Sequence, residues 1–68
     1  MPYRINADLP ESVRHALPAH AQDIFREAFN AAWEEYGGRE DTAFRVAWAA
    51  VKKRYRKSGD RWIAREDR

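Results

Sequence analysis

The segment between Pro18 and the Gly37-Gly38 pair carries apolar side chains at intervals of three and four residues. This spacing gathers them on one face of an α-helix. The flanking residues suit its ends, since proline is tolerated in a first helical turn and glycine favours a C-terminal stop. The apolar positions are Ala21, Phe25, Ala28, Phe29, Ala32, Trp33 and Tyr36. The sequence therefore predicts a long amphipathic helix over residues 18–36 that another element has to cover.

A second long helix is predicted over residues 42–57. Asp41 or Thr42 supplies its N-cap, and Gly59 is placed to end it. Its apolar face consists of Phe44, Ala47, Trp48, Val51 and Tyr55. Two such helices joined by a short glycine loop are expected to pack antiparallel, with their aromatic side chains as core rather than as a ligand cage.

A short helix is predicted over residues 9–16, after an N-cap at Asp8 and before Pro18, which disfavours helical geometry at Leu17. Apolar and polar residues alternate over residues 3–5, and the segment 61–64 contains Trp62, which needs a place to pack. The predicted fold class is mainly α: one compact three-helix domain over residues 1–68, with a small two-strand sheet pairing segments 3–5 and 61–64.

The composition argues against a disulfide-supported protein, a thiolate metal site and a membrane-embedded protein. A chain of 68 residues without cysteine has no disulfide or thiolate metal site to support its small core. No apolar run approaches the ~20 residues of a bilayer span, and the first residues lack the apolar region of a signal peptide. We therefore expect a cytoplasmic protein that is not embedded in the membrane.

Charge is distributed unevenly along the chain. Residues 1–51 contain five basic and eight acidic residues, a net charge of −3, whereas residues 52–68 contain eight basic and three acidic residues, a net charge of +5. The candidate contacts for a polyanion or a protein partner are Lys52, Lys53, Arg54, Arg56, Lys57 and Arg61. Cations with nearby aromatic side chains suit nucleic acid, although the dipole of the helix also favours cations in a last turn.

The sequence gives little support for a metal site or a catalytic site. His20, Asp23 and Glu27 share one helical face and are weak candidates for a metal site, but a zinc site without cysteine needs further ligands. The hydroxyls of Ser12, Thr42 and Ser58 are predicted near helix ends, where a capping role accounts for them. We expect no enzyme activity, no cofactor and no bound metal.

Two long blocks of the sequence resemble a known family. They are DLPESVRHALPAHAQDIFREAFNAAWEEY over residues 8–36 and TAFRVAWAAVKKRY over residues 42–55, and a tryptophan follows near the end. Together with the first three residues, these blocks closely resemble the ChaB family of cation transport regulators.

The resemblance implies a small helical fold with a minor sheet, similar to a cyclin box. It also implies a gene context beside a sodium or calcium/proton antiporter, and therefore a regulatory protein that contacts a protein partner. The family includes viral members that bind DNA, so a nucleic-acid-binding protein remains the alternative. Familiar relatives carry a longer charged loop between the two long helices than residues 37–41 provide here.

Overall fold

The computed structural model describes residues 2–65 of the chain. A single 3-10 turn precedes three α-helices and a β-hairpin. The elements are the turn Asn6–Asp8, helices α1 (Glu11–Ala16), α2 (Ala19–Glu35) and α3 (Glu40–Arg54), and strands β1 (Tyr55–Ser58) and β2 (Arg61–Ala64). The predicted fold class, mainly α with a two-strand sheet, is confirmed. Asp8 lies in the 3-10 turn rather than at the cap of α1, whose N-cap is Pro10.

The core lies between the two long helices, where aromatic rings from α2 interleave with those from α3. Phe25 packs edge-on against Trp48 at 5.1 Å between ring centroids, and Phe29 against Phe44 at 5.1 Å. These two pairs run in opposite directions along the helices, which are therefore antiparallel. The buried residues are Leu9, Val13, Leu17, Ala21, Phe25, Phe29, Ala32, Ala43, Ala47, Val51 and Tyr55. Alanines at the contact let the helices approach closely.

The turn between α2 and α3 depends on its two glycines. Gly37 and Gly38 have φ angles of +71° and +84°, which other residues rarely adopt. The amide of Gly38 donates to the carbonyl of Trp33 at 2.7 Å, the bond that closes a Schellman motif. The chain therefore leaves α2 where the sequence predicted. Tyr36, which we expected on the apolar face, is 47% exposed in this turn.

The two-strand sheet contains the predicted strand 61–64, but the partner of that strand is not the predicted one. β1 pairs antiparallel with β2, with Tyr55 opposite Ala64 and Ser58 opposite Arg61. The predicted pairing of residues 3–5 with 61–64 is therefore wrong, and so is the extension of the third helix to residue 57. Gly59, at φ +66°, is the first of two turn residues in this hairpin rather than a helix cap.

Side chains of α2, rather than a neighbouring strand, hold the N-terminal segment against the domain. Asn30 accepts a hydrogen bond from the amide of Tyr3 at 2.8 Å and donates one to the carbonyl of the same residue at 2.7 Å. The Tyr3 ring packs on Phe29, with 4.8 Å between centroids. Burial and the nearby Glu40 carboxylate raise the pKa of the Tyr3 hydroxyl above its usual 10.0. The segment is thus anchored through one asparagine and one aromatic contact.

Replacing Asn30 by alanine is expected to lower the free energy of unfolding by about 1 kcal/mol. Two hydrogen bonds to the Tyr3 backbone are lost at about 0.5–1.5 kcal/mol each, and the higher helix propensity of alanine offsets part of that loss. Urea denaturation measures the change. Glu34→Ala, an exposed substitution on the same helix, is the control. Equal stability of the two variants would contradict the anchoring role.

Candidate interaction surface

The predicted basic residues lie at one end of the molecule but on two different elements. Lys52, Lys53 and Arg54 form the last turn of α3. Arg56, Lys57 and Arg61 belong to the β-hairpin, because α3 ends three residues earlier than predicted. All six are exposed. The structure therefore places Arg56 and Lys57, which the sequence assigned to the third helix, on the hairpin with Arg61.

The strand register assigns the hairpin residues to two faces. Residues directly opposite each other in an antiparallel pair lie on the same side of the sheet. Arg56 opposes Ile63, and Ser58 opposes Arg61, so these four share the outer face. Lys57 opposes Trp62, whose ring packs against Trp48 of α3 at 5.6 Å. Two arginines and Ile63 therefore project to solvent, while Lys57 borders the side that faces the helices.

The C-terminal end of β2 is tied back to α3. The amide of Arg65 donates to the carbonyl of Arg54 at 2.9 Å, and the Arg65 guanidinium donates to the carbonyl of Lys52 at 2.8 Å. This arginine satisfies a carbonyl that the helix end would otherwise leave free, in keeping with the preference for cations at this position. Arg65 is a member of the basic end that the sequence analysis did not single out.

Ion pairs within residues 2–65 lie away from the basic end. They join His15 to Glu11 at 3.3 Å and Arg26 to Asp23 at 3.8 Å. Among the described residues, no carboxylate lies within ion-pair distance of Lys53 or Arg54. The positive charge of the basic end is thus presented to solvent by this part of the chain.

A groove of about 520 Å³ runs between α2 and α3 beside the basic end. Its lining residues are His20, Ile24, Glu27, Ala28, Ala50, Lys53 and Arg54. Ile24, Ala28 and Ala50 are half-buried and supply apolar surface, whereas the four polar residues are exposed. The groove is therefore apolar between the helices and charged at its sides. The groove was not predicted from the sequence, although the small residues on both helices were a signal for it.

The three weak metal candidates do not converge. The Asp23 carboxylate accepts a hydrogen bond from Asn6 at 2.6 Å and faces Arg26, which in turn donates to the Asn6 amide oxygen. His20 lies in the groove with Glu27, and its Nδ1 is 3.3 Å from the Tyr55 hydroxyl. Within the described range, His, Asp and Glu side chains form no group of three that could hold a metal ion. Asp23 instead fastens the 3-10 turn to α2.

Neither long helix in the described part of the chain combines the length and apolarity needed to cross a bilayer. Each is amphipathic and buries one face against the other helix.

Comparisons with a family model, with curated proteins and with solved structures all match the same family. The ChaB family model matches residues 9–65. The "Putative cation transport regulator ChaB" of Escherichia coli K12 is 55% identical over 69 residues, covering 88% of this chain and 91% of that protein. A solution structure of the "putative cation transport regulator ChaB" superposes with a TM-score of 0.86 at 51% identity, covering 96% of this chain and all of that one.

A more distant relative is viral. An "Uncharacterized protein in LEF8-FP intergenic region" of Lymantria dispar multicapsid nuclear polyhedrosis virus is 37% identical over 51 residues, covering 75% of this chain and 72% of that protein. The bacterial alignment also carries information on length. Since 88% of 68 residues is about 60, about nine of its 69 positions have no residue in this chain.

Proposed function

Since this chain belongs to the ChaB family, we propose that it is a non-catalytic cytoplasmic protein that regulates a cation/proton antiporter by contact with a protein partner. The observation that carries the proposal is the 55% identity to a curated relative named for cation transport regulation, across 91% of that relative's length. The family model extends over residues 9–65, which include the three α-helices and the hairpin. This match supports a shared function as well as a shared fold.

We propose a non-catalytic role because the small hydroxyl side chains stand near element boundaries. Ser12 is in the first turn of α1, Thr42 is in the first turn of α3, and Ser58 ends β1. Such positions suit local hydrogen bonding with the backbone, and the Thr42 amide already bonds the Asp41 carboxylate at 2.8 Å. Regulation by binding needs no reactive group.

The basic end is the surface we propose for the partner. Exposed cations accelerate association with an acidic partner and confer specificity on it. The cations at this end come from a helix turn and a hairpin, and the Arg65 hydrogen bonds tie one to the other. A partner would therefore meet an ordered surface rather than a flexible tail.

Deletion of the gene is expected to change the rate of sodium- or calcium-driven proton exchange in inverted membrane vesicles, because the antiporter loses its regulator. Wild-type protein should restore the original rate, whereas a Lys52→Glu/Lys53→Glu variant should not. Arg4→Glu/Arg45→Glu, which makes the same charge change at exposed positions away from the basic end, is the matched control and should restore it. Unchanged exchange in the deletion strain would count decisively against the proposed function.

Nucleic acid binding is the second candidate function. It is favoured by the arrangement of Arg56 and Arg61 on one hairpin face beside the last turn of α3, since such cations neutralise phosphates. Capture of partners from lysate with and without nuclease separates the two candidates. A protein that stays bound after nuclease treatment supports the first, and capture that depends wholly on intact nucleic acid supports the second.

A further inference from the structure

The α2–α3 groove combines an apolar strip with unequal charge on its two sides. Ile24 and Ala28 are one helical turn apart on α2, and Ala50 faces them from α3. Because Ala28 and Ala50 are small, the helix surfaces recede between their longer neighbours and leave about 520 Å³ of open volume. Apolar side chains of a bound partner segment would displace water along this strip, and the burial of their apolar area is favourable.

The charged residues at the groove favour the binding of an acidic segment. Lys53 and Arg54 lie on the α3 side, while the α2 side has one carboxylate, Glu27, and the imidazole of His20. The two cations make no ion pair with residues 2–65, so their charge is not neutralised by this part of the chain. Lys52 directly precedes them in sequence, Arg56 and Lys57 follow after Tyr55, and these three cations add positive potential. A carboxylate placed over Lys53 and Arg54 gains from all of these charges.

The position of His20 gives this end of the groove a defined shape. Its Nδ1 lies 3.3 Å from the hydroxyl of Tyr55, the buried first residue of β1, and the two rings meet edge-on with centroids 6.3 Å apart. The imidazole is thus held between α2 and the hairpin. One lining residue of the groove is therefore in contact with the hairpin.

From this arrangement we propose that the α2–α3 groove is the docking site for an amphipathic, acidic helical segment of a partner protein. Apolar side chains one turn apart on that segment lie against Ile24, Ala28 and Ala50, and its carboxylates pair with Lys53 and Arg54. This is the binding mode in which an amphipathic helix inserts into an apolar groove. The inference rests on the proposed function only in requiring a protein partner, and it does not depend on which protein that is.

The test is an NMR titration of the isotope-labelled chain with a designed peptide at about 150 mM salt, where charges farther apart than about 8 Å are largely screened. The peptide has about 15 residues, enough for a marginally stable helix, with leucines on one face and glutamates elsewhere. We expect chemical-shift changes at residues 20–28 and 50–54. A Lys53→Glu/Arg54→Glu variant should bind about tenfold more weakly, a loss of about 1.4 kcal/mol.

Three controls make the result decisive. Arg4→Glu/Arg45→Glu applies the same charge change at exposed positions away from the basic end and should leave the affinity nearly unchanged. A peptide with serine in place of leucine should not bind, and neither should a peptide with lysine in place of glutamate. Thermal melts of both variants verify that they are folded, as expected for exposed positions.

Other outcomes would overturn the proposal. Shift changes confined to the hairpin would do so, as would equal weakening by both charge-reversal variants. Binding of a duplex oligonucleotide at the same residues, as tight as the peptide, would replace the proposal with a polyanion surface. Peptide binding together with unchanged antiport in the deletion strain would retain the groove and remove the antiporter role, so the two failures are distinguishable.

Discussion

Replacing Phe25 by alanine is expected to lower the free energy of unfolding by about 3–5 kcal/mol, the range for deleting a large buried aromatic side chain. Phe25 is fully buried at the centre of the helix contact. Its ring lies 5.8 Å from that of Phe44 and 5.1 Å from that of Trp48, so truncation leaves a cavity that both helices border. Urea denaturation followed by tryptophan fluorescence measures the loss.

The effect should be large relative to the total stability. A domain of this size is expected to have about 3–10 kcal/mol in all, at the usual stability per residue. Tyr36→Ala is the matched control, because Tyr36 follows the same helix but is 47% exposed. It should change stability by less than about 1 kcal/mol. Similar losses for the two variants would mean that Phe25 is not the centre of the core.

Replacing Ala47 by leucine is expected to destabilise the protein by about 1–3 kcal/mol, although leucine is a good helix former. Ala47 is fully buried on the face of α3 that meets α2. Three additional carbon atoms there require either a displaced helix or strained neighbouring side chains. The midpoint of thermal or urea unfolding should fall, with a slope in urea that stays close to the wild-type value.

Ala49→Leu provides the control for that substitution. Ala49 lies two residues away on the same helix and is exposed, so the added side chain meets solvent. Its stability should stay within about 0.5 kcal/mol of wild type. If both variants were equally stable, the close approach of α2 and α3 at Ala47 would be wrong.

The helices could be predicted from the sequence because their apolar spacing and their end signals agree. Pro18 and Gly37 bracket α2 in the sequence and in the structure. The end of α3 could not be placed in the same way, since Tyr55 continues the helical spacing from Val51. The Gly59-Asp60 pair between two short segments was a hairpin signal that competed with its interpretation as a helix cap.

The N-terminal segment was predicted wrongly for a different reason. Alternation over residues 3–5 suits a strand, but the backbone of Tyr3 finds its hydrogen bonds on the Asn30 side chain, 27 residues away. Nothing in the local pattern shows which distant amide will meet a given backbone group. Asn6, which links the 3-10 turn to Asp23 and Arg26, escaped prediction for the same reason.

The composition of the candidate site could be predicted, but its arrangement could not. A count of charges identifies Lys53 and Arg54 as members of a basic end. Their position beside an apolar groove depends on how α2 packs against α3 and leaves Ala28 and Ala50 at the edge of the contact, which is a property of the packed structure. His20 joins them because the antiparallel packing brings the start of α2 to the end of α3, where its Nδ1 lies 3.3 Å from the Tyr55 hydroxyl.

The connection between α2 and α3 spans only residues 36–39, and β1 starts at the residue after α3 ends. The main packing partners are therefore neighbours in sequence, and little chain entropy is lost in bringing them together. Proteins built from such local contacts refold in about microseconds to milliseconds. A chain with this topology would regain its binding surface quickly after transient unfolding, which limits the time for which its aromatic core is exposed to proteases and to aggregation.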